Sequence, residues 1–211
     1  MTLEQDRMAN PYGMDPDCTN CADLCETRQT IIHGYGDVTA DFMFIRESPS
    51  AVADEIGHPI GSNDSVHSLQ SLLDELGFLT QETDTAGNPV LANAFVTHLT
   101  RCRHPDRAPT SGEILNCDPF LNAELRTINP QILLPIGERT LEIIAREFST
   151  TSSDTLDLAE LHGTELRGRG FEIVPLIEPE TMTEKEFSAG IQAITQTLNR
   201  DYRQTKGRRD R

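Results

Sequence analysis

Short apolar runs alternate with segments of helical spacing along this chain, and that alternation constrains the fold more than any other feature. Residues 41–47 form an apolar run with charged ends, which is typical of a strand buried on both faces. Further strands are predicted at 90–97, 131–136 and 171–177, and helices at 65–76, 113–128, 138–148 and 184–200. Because strands that alternate with helices favour a covered parallel sheet, we expect a three-layer α/β/α fold around a central, mainly parallel four-stranded sheet.

A chain of 211 residues fits one domain of ordinary size. We expect residues 1–200 to form that domain and residues 201–211 to be a basic tail. The tail is predicted to be a frayed, solvated terminus, with a phosphate-binding arm as the alternative. No apolar run reaches 18 residues and the first 14 residues are polar and acidic, so we expect a cytoplasmic monomer that neither spans a membrane nor is secreted.

The charge balance allows two interpretations. The chain has 18 basic and 34 acidic residues, for a net charge of −16, and its lysines are Lys185 and Lys206. Such a surface repels polyanions at low ionic strength. The alternative is a halophilic protein from a salt-rich cytoplasm, where a Debye length of about 3 Å at 1 M salt hides carboxylates from DNA. The scarcity of lysine beside abundant Asp and Glu favours this second interpretation.

Four of the five cysteines form two pairs, Cys18 with Cys21 and Cys102 with Cys117. In a chain without an export signal, cysteines indicate thiolate ligands rather than disulfides, so we predict that these four bind one metal centre. Cys25 is the remaining thiol, although it could replace a neighbour. Zinc is one candidate metal, but a second C-x-x-C within about twenty residues, its common spacing, is missing. The long gap between the two cysteine pairs also suits an iron–sulfur cluster that ties the N-terminal segment to the fold, so both kinds of metal centre remain candidates.

Two other stretches carry candidate site residues. The loop Ser48-Pro49-Ser50 follows the first predicted strand, at the strand end where open α/β sheets bind ligands. The densest basic stretch of the body contains Arg101, Arg103, His104 and Arg107. It predicts contacts with DNA phosphates, with ordinary surface ion pairing as the alternative.

The order of these motifs resembles the family 4 uracil-DNA glycosylases, the iron–sulfur branch of the uracil-DNA glycosylase superfamily, over roughly residues 18–198. The matching segments are Cys18 to Cys21, Arg46 to Ser50, Gly57 to Ile60, His98 to Pro105, Cys117 to Leu121, Pro130 to Gly137 and Glu178 to Glu180. The resemblance implies the α/β/α fold, a [4Fe–4S] cluster on the four paired cysteines and DNA as the partner.

The candidate pocket departs from the family pattern. Glu47 and the prolines are retained. Arg46 and Ser50 replace the family's two glycines, and Ile60 replaces its aromatic residue. His98 replaces its asparagine, and Glu178 replaces its histidine. The resemblance implies that Glu47, His98 and Glu178 are catalytic, and that Ser48, Pro49, Ser50 and Ile60 bind the substrate. Arg101 and Arg103 of the basic stretch are added as substrate-binding residues that contact phosphates. Alternatives remain at three positions: Glu47 as a strand-end acid paired with Arg46, and His98 as a strand cap or phosphate contact. An ionised Glu178 would oppose charge on the base, whereas a Glu178 protonated by burial could donate a hydrogen bond to it.

Three functional hypotheses follow. The first is a DNA-repair hydrolase that cleaves the N-glycosidic bond of uracil or another damaged base. The second is a catalytically inactive iron–sulfur DNA-binding protein of the same fold. The third is a metal-stabilised α/β domain with a small-molecule or protein partner. Base release that depends on Glu47 would favour the first, DNA binding without cleavage the second, and indifference to DNA even in high salt the third.

Overall fold

A computed structural model describes residues 10, 13–61, 66–84, 86–150 and 156–200. Its main sheet has six strands in the order β1-β5-β2-β6-β8-β7, and β3 and β4 form a separate hairpin. The strands are β1 Tyr35–Gly36, β2 Phe42–Arg46, β3 Leu79–Thr83, β4 Pro89–Leu91, β5 Ala94–His98, β6 Ile132–Pro135, β7 Leu166–Arg167 and β8 Glu172–Ile173. The predicted tail, residues 201–211, lies outside the described residues, and the single-domain boundary stays a prediction.

Seven α-helices occur in the described part of the chain, together with one 3-10 turn at Pro179–Thr181. The α-helices are α1 Ala22–Thr27, α2 Ala51–Ile56, α3 Leu69–Glu75, α4 Ser111–Ile128, α5 Glu138–Phe148, α6 Leu158–Leu161 and α7 Glu184–Leu198. Helices α3, α4 and α7 begin with capping boxes, in which two side chains satisfy backbone N–H groups of the first turn. Within the described residues no helix is long and apolar enough to cross a membrane.

The four central strands of the sheet, β5, β2, β6 and β8, are parallel, as predicted. The count of four strands is wrong for the whole sheet, because antiparallel β1 and β7 extend its edges. Each of these edge strands has two residues, too few to display a period. The predicted strand at 90–97 is divided, since Asn93 has a φ of 56° and this left-handed turn separates β4 from β5.

Alternate residues of the central strands pack into two hydrophobic cores. Phe42 and Phe44 join α3 and α7 in one core, whereas Met43 and Ile45 join α4 and α5 in the other. Side chains of a strand alternate between the faces of its sheet, so the three-layer prediction is confirmed. The same alternation directs Arg46 toward the α3/α7 face and Glu47 toward the α4/α5 face.

Candidate active site and metal centre

Arg46, the last residue of β2, is held by two carboxylates from the segment after β8. It donates hydrogen bonds of 2.7 Å to Glu178 and of 3.0 and 3.1 Å to Glu180. The Arg46 side chain is 13% exposed, so these charges interact in a partly desolvated site. Burial raises the pKa of Glu178, while the neighbouring Arg46 acts in the opposite direction. From the sequence, Glu47 was the one suggested partner of Arg46. The pairing of Arg46 with Glu178 could not be predicted, because it depends on how distant segments pack together.

Glu47 forms an ion pair of 2.9 Å with Arg139 in the first turn of α5, rather than with Arg46. The Arg139 guanidinium also donates to Ser111 and to the backbone oxygen of Pro109. The Glu47 charge is near enough to Glu178 to contribute to the raised pKa of that carboxyl group. Glu47 and Glu178, two of the three predicted catalytic residues, therefore lie in one charged cluster.

His98 is the last residue of β5 and lies opposite Arg46 in the parallel register. It is 1% exposed, and neither ring nitrogen has a hydrogen-bond partner among the described residues. Burial, followed by the charges of Arg46 and Arg101, lowers the pKa of His98 well below its ordinary value. The imidazole is therefore neutral at physiological pH and carries one donor and one acceptor.

The remaining predicted pocket residues have structural contacts of their own. Pro49 is buried, and the Ser50 hydroxyl accepts a hydrogen bond of 3.0 Å from the Ala53 amide as the N-cap of α2. Ser48 is half-buried in the intervening loop. Ile60 is 3% exposed and belongs to the core on the α3/α7 face, so it contributes to the packing beneath this edge of the sheet.

The basic stretch is less exposed than its sequence suggests. Arg101 is buried and forms an ion pair of 2.7 Å with Glu124 of α4, so its guanidinium lies inside the protein rather than at a DNA-facing surface. Arg107 pairs with Glu113 and Asp23. Arg103 makes a surface hydrogen bond to the backbone oxygen of Pro105.

The four paired cysteines line a single pocket, although they come from distant parts of the chain. Cys18 precedes α1 and Cys21 is its N-cap, Cys102 follows β5, and Cys117 lies within α4. Burial raises the pKa of Cys102, and it raises the pKa of Cys117 to about 11. The described residues include no group of three or more His, Cys, Asp or Glu side chains arranged to hold a metal ion.

Two side chains donate hydrogen bonds to sulfur in this pocket. Arg28 donates to Cys102 Sγ at 3.2 Å and to the backbone oxygen of Cys18 at 2.7 Å, and Asn116 donates to Cys21 Sγ at 3.5 Å. Such donors stabilise the charge of thiolate ligands. The donor set therefore fits a thiolate-bound metal group. Arg28 and Asn116 were missed by sequence reasoning because no spacing rule links them to the cysteines.

Cys25, the fifth cysteine, also lies beside this pocket. Its thiol donates a 3.7 Å hydrogen bond to the backbone oxygen of Cys18. When Cys25 is ionised, its negative charge contributes to the raised pKa of Cys102. It does not line the pocket with the other four.

The parallel sheet, the charged cluster at its carboxyl edge and the pocket lined by four cysteines define an α/β domain whose N-terminal segment packs its cysteines beside β5 and α4. The model of the uracil DNA glycosylase superfamily matches residues 33–200, and the chain belongs to that superfamily.

Several characterised proteins are similar to the chain. Type-4 uracil-DNA glycosylase of Saccharolobus solfataricus is 29% identical over 63% of this chain and 56% of its own length. The type-4 enzyme of Archaeoglobus fulgidus is 26% identical over 64% of each chain. These matches span less than two thirds of the relatives. Type-5 uracil-DNA glycosylase of Pyrobaculum aerophilum is 19% identical over 87% of both chains.

Proposed function

We propose that this protein is a DNA-repair hydrolase that removes uracil or another damaged base by cleaving its N-glycosidic bond. The observation that carries the proposal is the position of Glu47, a carboxylate at the carboxyl end of the central strand β2. Open α/β sheets bind their ligands at this edge, and the superfamily includes relatives named uracil-DNA glycosylase.

Glu47 would stabilise the sugar during cleavage. The transition state of glycosidic bond hydrolysis resembles an oxocarbenium ion, and a nearby carboxylate lowers its energy. Arg139 holds the Glu47 carboxylate at 2.9 Å, which fixes its orientation before the reaction. Glu47 would also orient the attacking water.

The substrate base must leave the DNA stack to reach this edge, and the protein must then bind it in a pocket. His98 supplies a neutral imidazole with two unused ring nitrogens, suited to a base edge. We assign Ser48, Pro49 and Ser50 to the wall around the flipped nucleotide and Ile60 to the apolar packing behind it. Arg103 would contact a phosphate, whereas buried Arg101 supports the site through Glu124.

We propose a [4Fe–4S] cluster as the cofactor, bound by Cys18, Cys21, Cys102 and Cys117. The shared pocket and the N–H donors to Cys102 and Cys21 support thiolate ligation. When bound, the cluster would contribute folding energy by linking the N-terminal segment to β5 and α4. Zinc is the alternative; iron and sulfide analysis with visible absorption distinguishes the two, because zinc thiolates have no visible band.

The test is base release from uracil-containing single- and double-stranded DNA by protein purified without oxygen in molar salt. Glu47→Gln keeps the side-chain size and removes the charge, and Glu55→Gln on the exposed surface of α2 is the matched control. We expect release by wild type and by Glu55→Gln, with a loss in Glu47→Gln of at least about a hundredfold. Equal release by Glu47→Gln would contradict the role of Glu47.

Further measurements on the same protein preparation test the remaining expectations. DNA binding by fully metallated protein without base release would favour the inactive DNA-binding alternative. Retention of structure and activity in molar potassium chloride, with losses at low salt, would support adaptation to a salt-rich cytoplasm. Light scattering under the assay conditions tests the predicted monomer.

A further inference from the structure

Two consecutive residues place opposite charges at the end of β2. Arg46 is directed toward the α3/α7 face, and Glu47 toward the α4/α5 face, where Arg139 binds it. The two side chains leave the same strand end on opposite sides of the sheet, and the charge of each influences the pKa of Glu178, which Arg46 binds at 2.7 Å.

Hydrolysis of an N-glycosidic bond separates charge in a fixed direction. The bond electrons stay with the base, which becomes negative, while the sugar becomes positive. Water oxygen then bonds to the anomeric carbon, and the proton that the water loses is finally taken up by the base. A preorganised site therefore needs an anion beside the sugar and a hydrogen-bond donor beside the base.

We propose that Arg46 is the donor that contacts a carbonyl oxygen of the departing base, which makes it a catalytic residue in the hydrolysis of the N-glycosidic bond. With Glu47 at the sugar and an N–H group of Arg46 at the base, these two adjacent side chains supply the anion and the hydrogen-bond donor that the transition state requires. This inference rests on the proposed glycosylase function and names the group that stabilises its leaving base.

Arg46 has hydrogen-bonding capacity beyond its ion pairs. A guanidinium carries five N–H donors, and the carboxylates of Glu178 and Glu180 accept three hydrogen bonds from it. Two N–H groups are not used in these bonds. The carboxylates hold the planar group in one orientation, so little reorganisation is needed when charge develops on the base.

The other polar groups at this edge are less suited to the role. An ionised Glu178 only accepts hydrogen bonds and would repel a negative base; paired with Arg46 at 2.7 Å, it instead orients the cation. His98 is neutral and can donate one hydrogen bond, but it carries no charge to oppose that of the base. Its unpartnered ring lies beside Arg46 on the same face, where a bound base would supply the missing partner.

The experiment compares release of uracil with release of 5-fluorouracil from otherwise identical DNA. Fluorine stabilises negative charge on the base, so 5-fluorouracil depends less on a donor from the protein. We expect Arg46→Gln to slow uracil release by about a hundred- to a thousandfold, and 5-fluorouracil release by a clearly smaller factor. Arg146→Gln, which removes a surface arginine paired with Glu142, is the matched control and should behave as wild type on both substrates.

A second variant separates catalysis from folding. Arg46→Gln leaves Glu178 and Glu180 without their cation, which can destabilise the protein. Arg46→Gln combined with Glu178→Gln removes one charge of each sign, and its melting temperature should remain closer to that of wild type. The same preferential loss of uracil release in this folded variant would support the proposal.

The remaining outcomes are decisive as well. An equal loss on both substrates would show that Arg46 is structural and would overturn the proposal, as would unchanged rates. If wild type releases neither base, the proposed function fails. DNA binding then decides whether Arg46 contacts the base. The affinities of wild type and Arg46→Gln are measured for uncleavable DNA that contains 2′-fluorodeoxyuridine and for the same DNA with tetrahydrofuran, which has no base, at that position. If wild type prefers the DNA with the base and the variant does not, the contact is retained; an unchanged preference overturns it.

Discussion

Glu124→Gln should be one of the most damaging conservative substitutions in this protein. Glu124 accepts a hydrogen bond of 2.6 Å from Thr97 and forms an ion pair of 2.7 Å with Arg101. The side chains of Arg101 and Glu124 are 3% and 1% exposed. Glutamine keeps the shape and an acceptor for Thr97, but it leaves the buried Arg101 charge without its carboxylate partner.

Removing one partner of a buried ion pair costs about 3–5 kcal/mol. With a urea dependence of about 2 kcal/mol per molar, we expect the unfolding midpoint to fall by about 1.5–2.5 M. The assay is urea unfolding monitored by circular dichroism, on proteins matched for metal content. Glu142→Gln, which alters the exposed 3.9 Å pair with Arg146, should change the free energy of unfolding by less than about 0.5 kcal/mol.

A paired replacement tests the reason for this cost. Arg101→Met together with Glu124→Leu removes both charges and keeps the volume, so most of the lost stability should return. The reasoning is refuted if Glu124→Gln shifts the midpoint no further than Glu142→Gln does. It is refuted equally if the paired replacement is as unstable as the single one.

Three further predictions concern the thiol pocket and a buried histidine. Cys117→Ser should lose the visible absorption of the metal centre, whereas Cys25→Ser should keep it; the opposite pattern in absorption spectra would exchange their roles. Arg28→Gln should lose its metal faster to a chelator, because it removes a charged donor to Cys102, and a release rate equal to that of wild type would contradict this. Burial lowers the pKa of His58 from 6.5 to about 4, so the unfolded state binds more protons between these values and stability should rise with pH across this window. His58→Gln should flatten that rise when melting temperatures are measured across the window; an unchanged slope would show that His58 is not its source.

Much of the scaffold was predictable because it depends on local periodicity. The apolar run around Phe42–Arg46 identified the central strand, and the helical spacing within Glu138–Phe148 identified α5. The edge strands β1 and β7 were missed because two residues show no period. Strand 90–97 was predicted as one element because its composition does not reveal the left-handed turn at Asn93.

The resemblance named Glu47, His98 and Glu178 as catalytic candidates, and their roles stay predictions. The contacts around them were not predicted, because Glu178 and Glu180, the partners of Arg46, lie 132 and 134 residues away from it in the chain. Arg101 was expected to contact DNA because sequence shows its charge, not its burial. Glu124 was not expected to hold it because the two residues lie on different elements.

The sequence by itself determined the alternation of strands and helices, the strand end that carries Glu47, and the two cysteine pairs, since each depends on residues close together in the chain. Only the tertiary structure decided that Arg46 binds Glu178 and Glu180, that Arg139 binds Glu47, and that Arg28 contacts Cys102. Those contacts join residues brought together by the packing of the sheet and its helices. Long-range packing determines which charges are buried and which form ion pairs, and no local sequence pattern predicts these contacts.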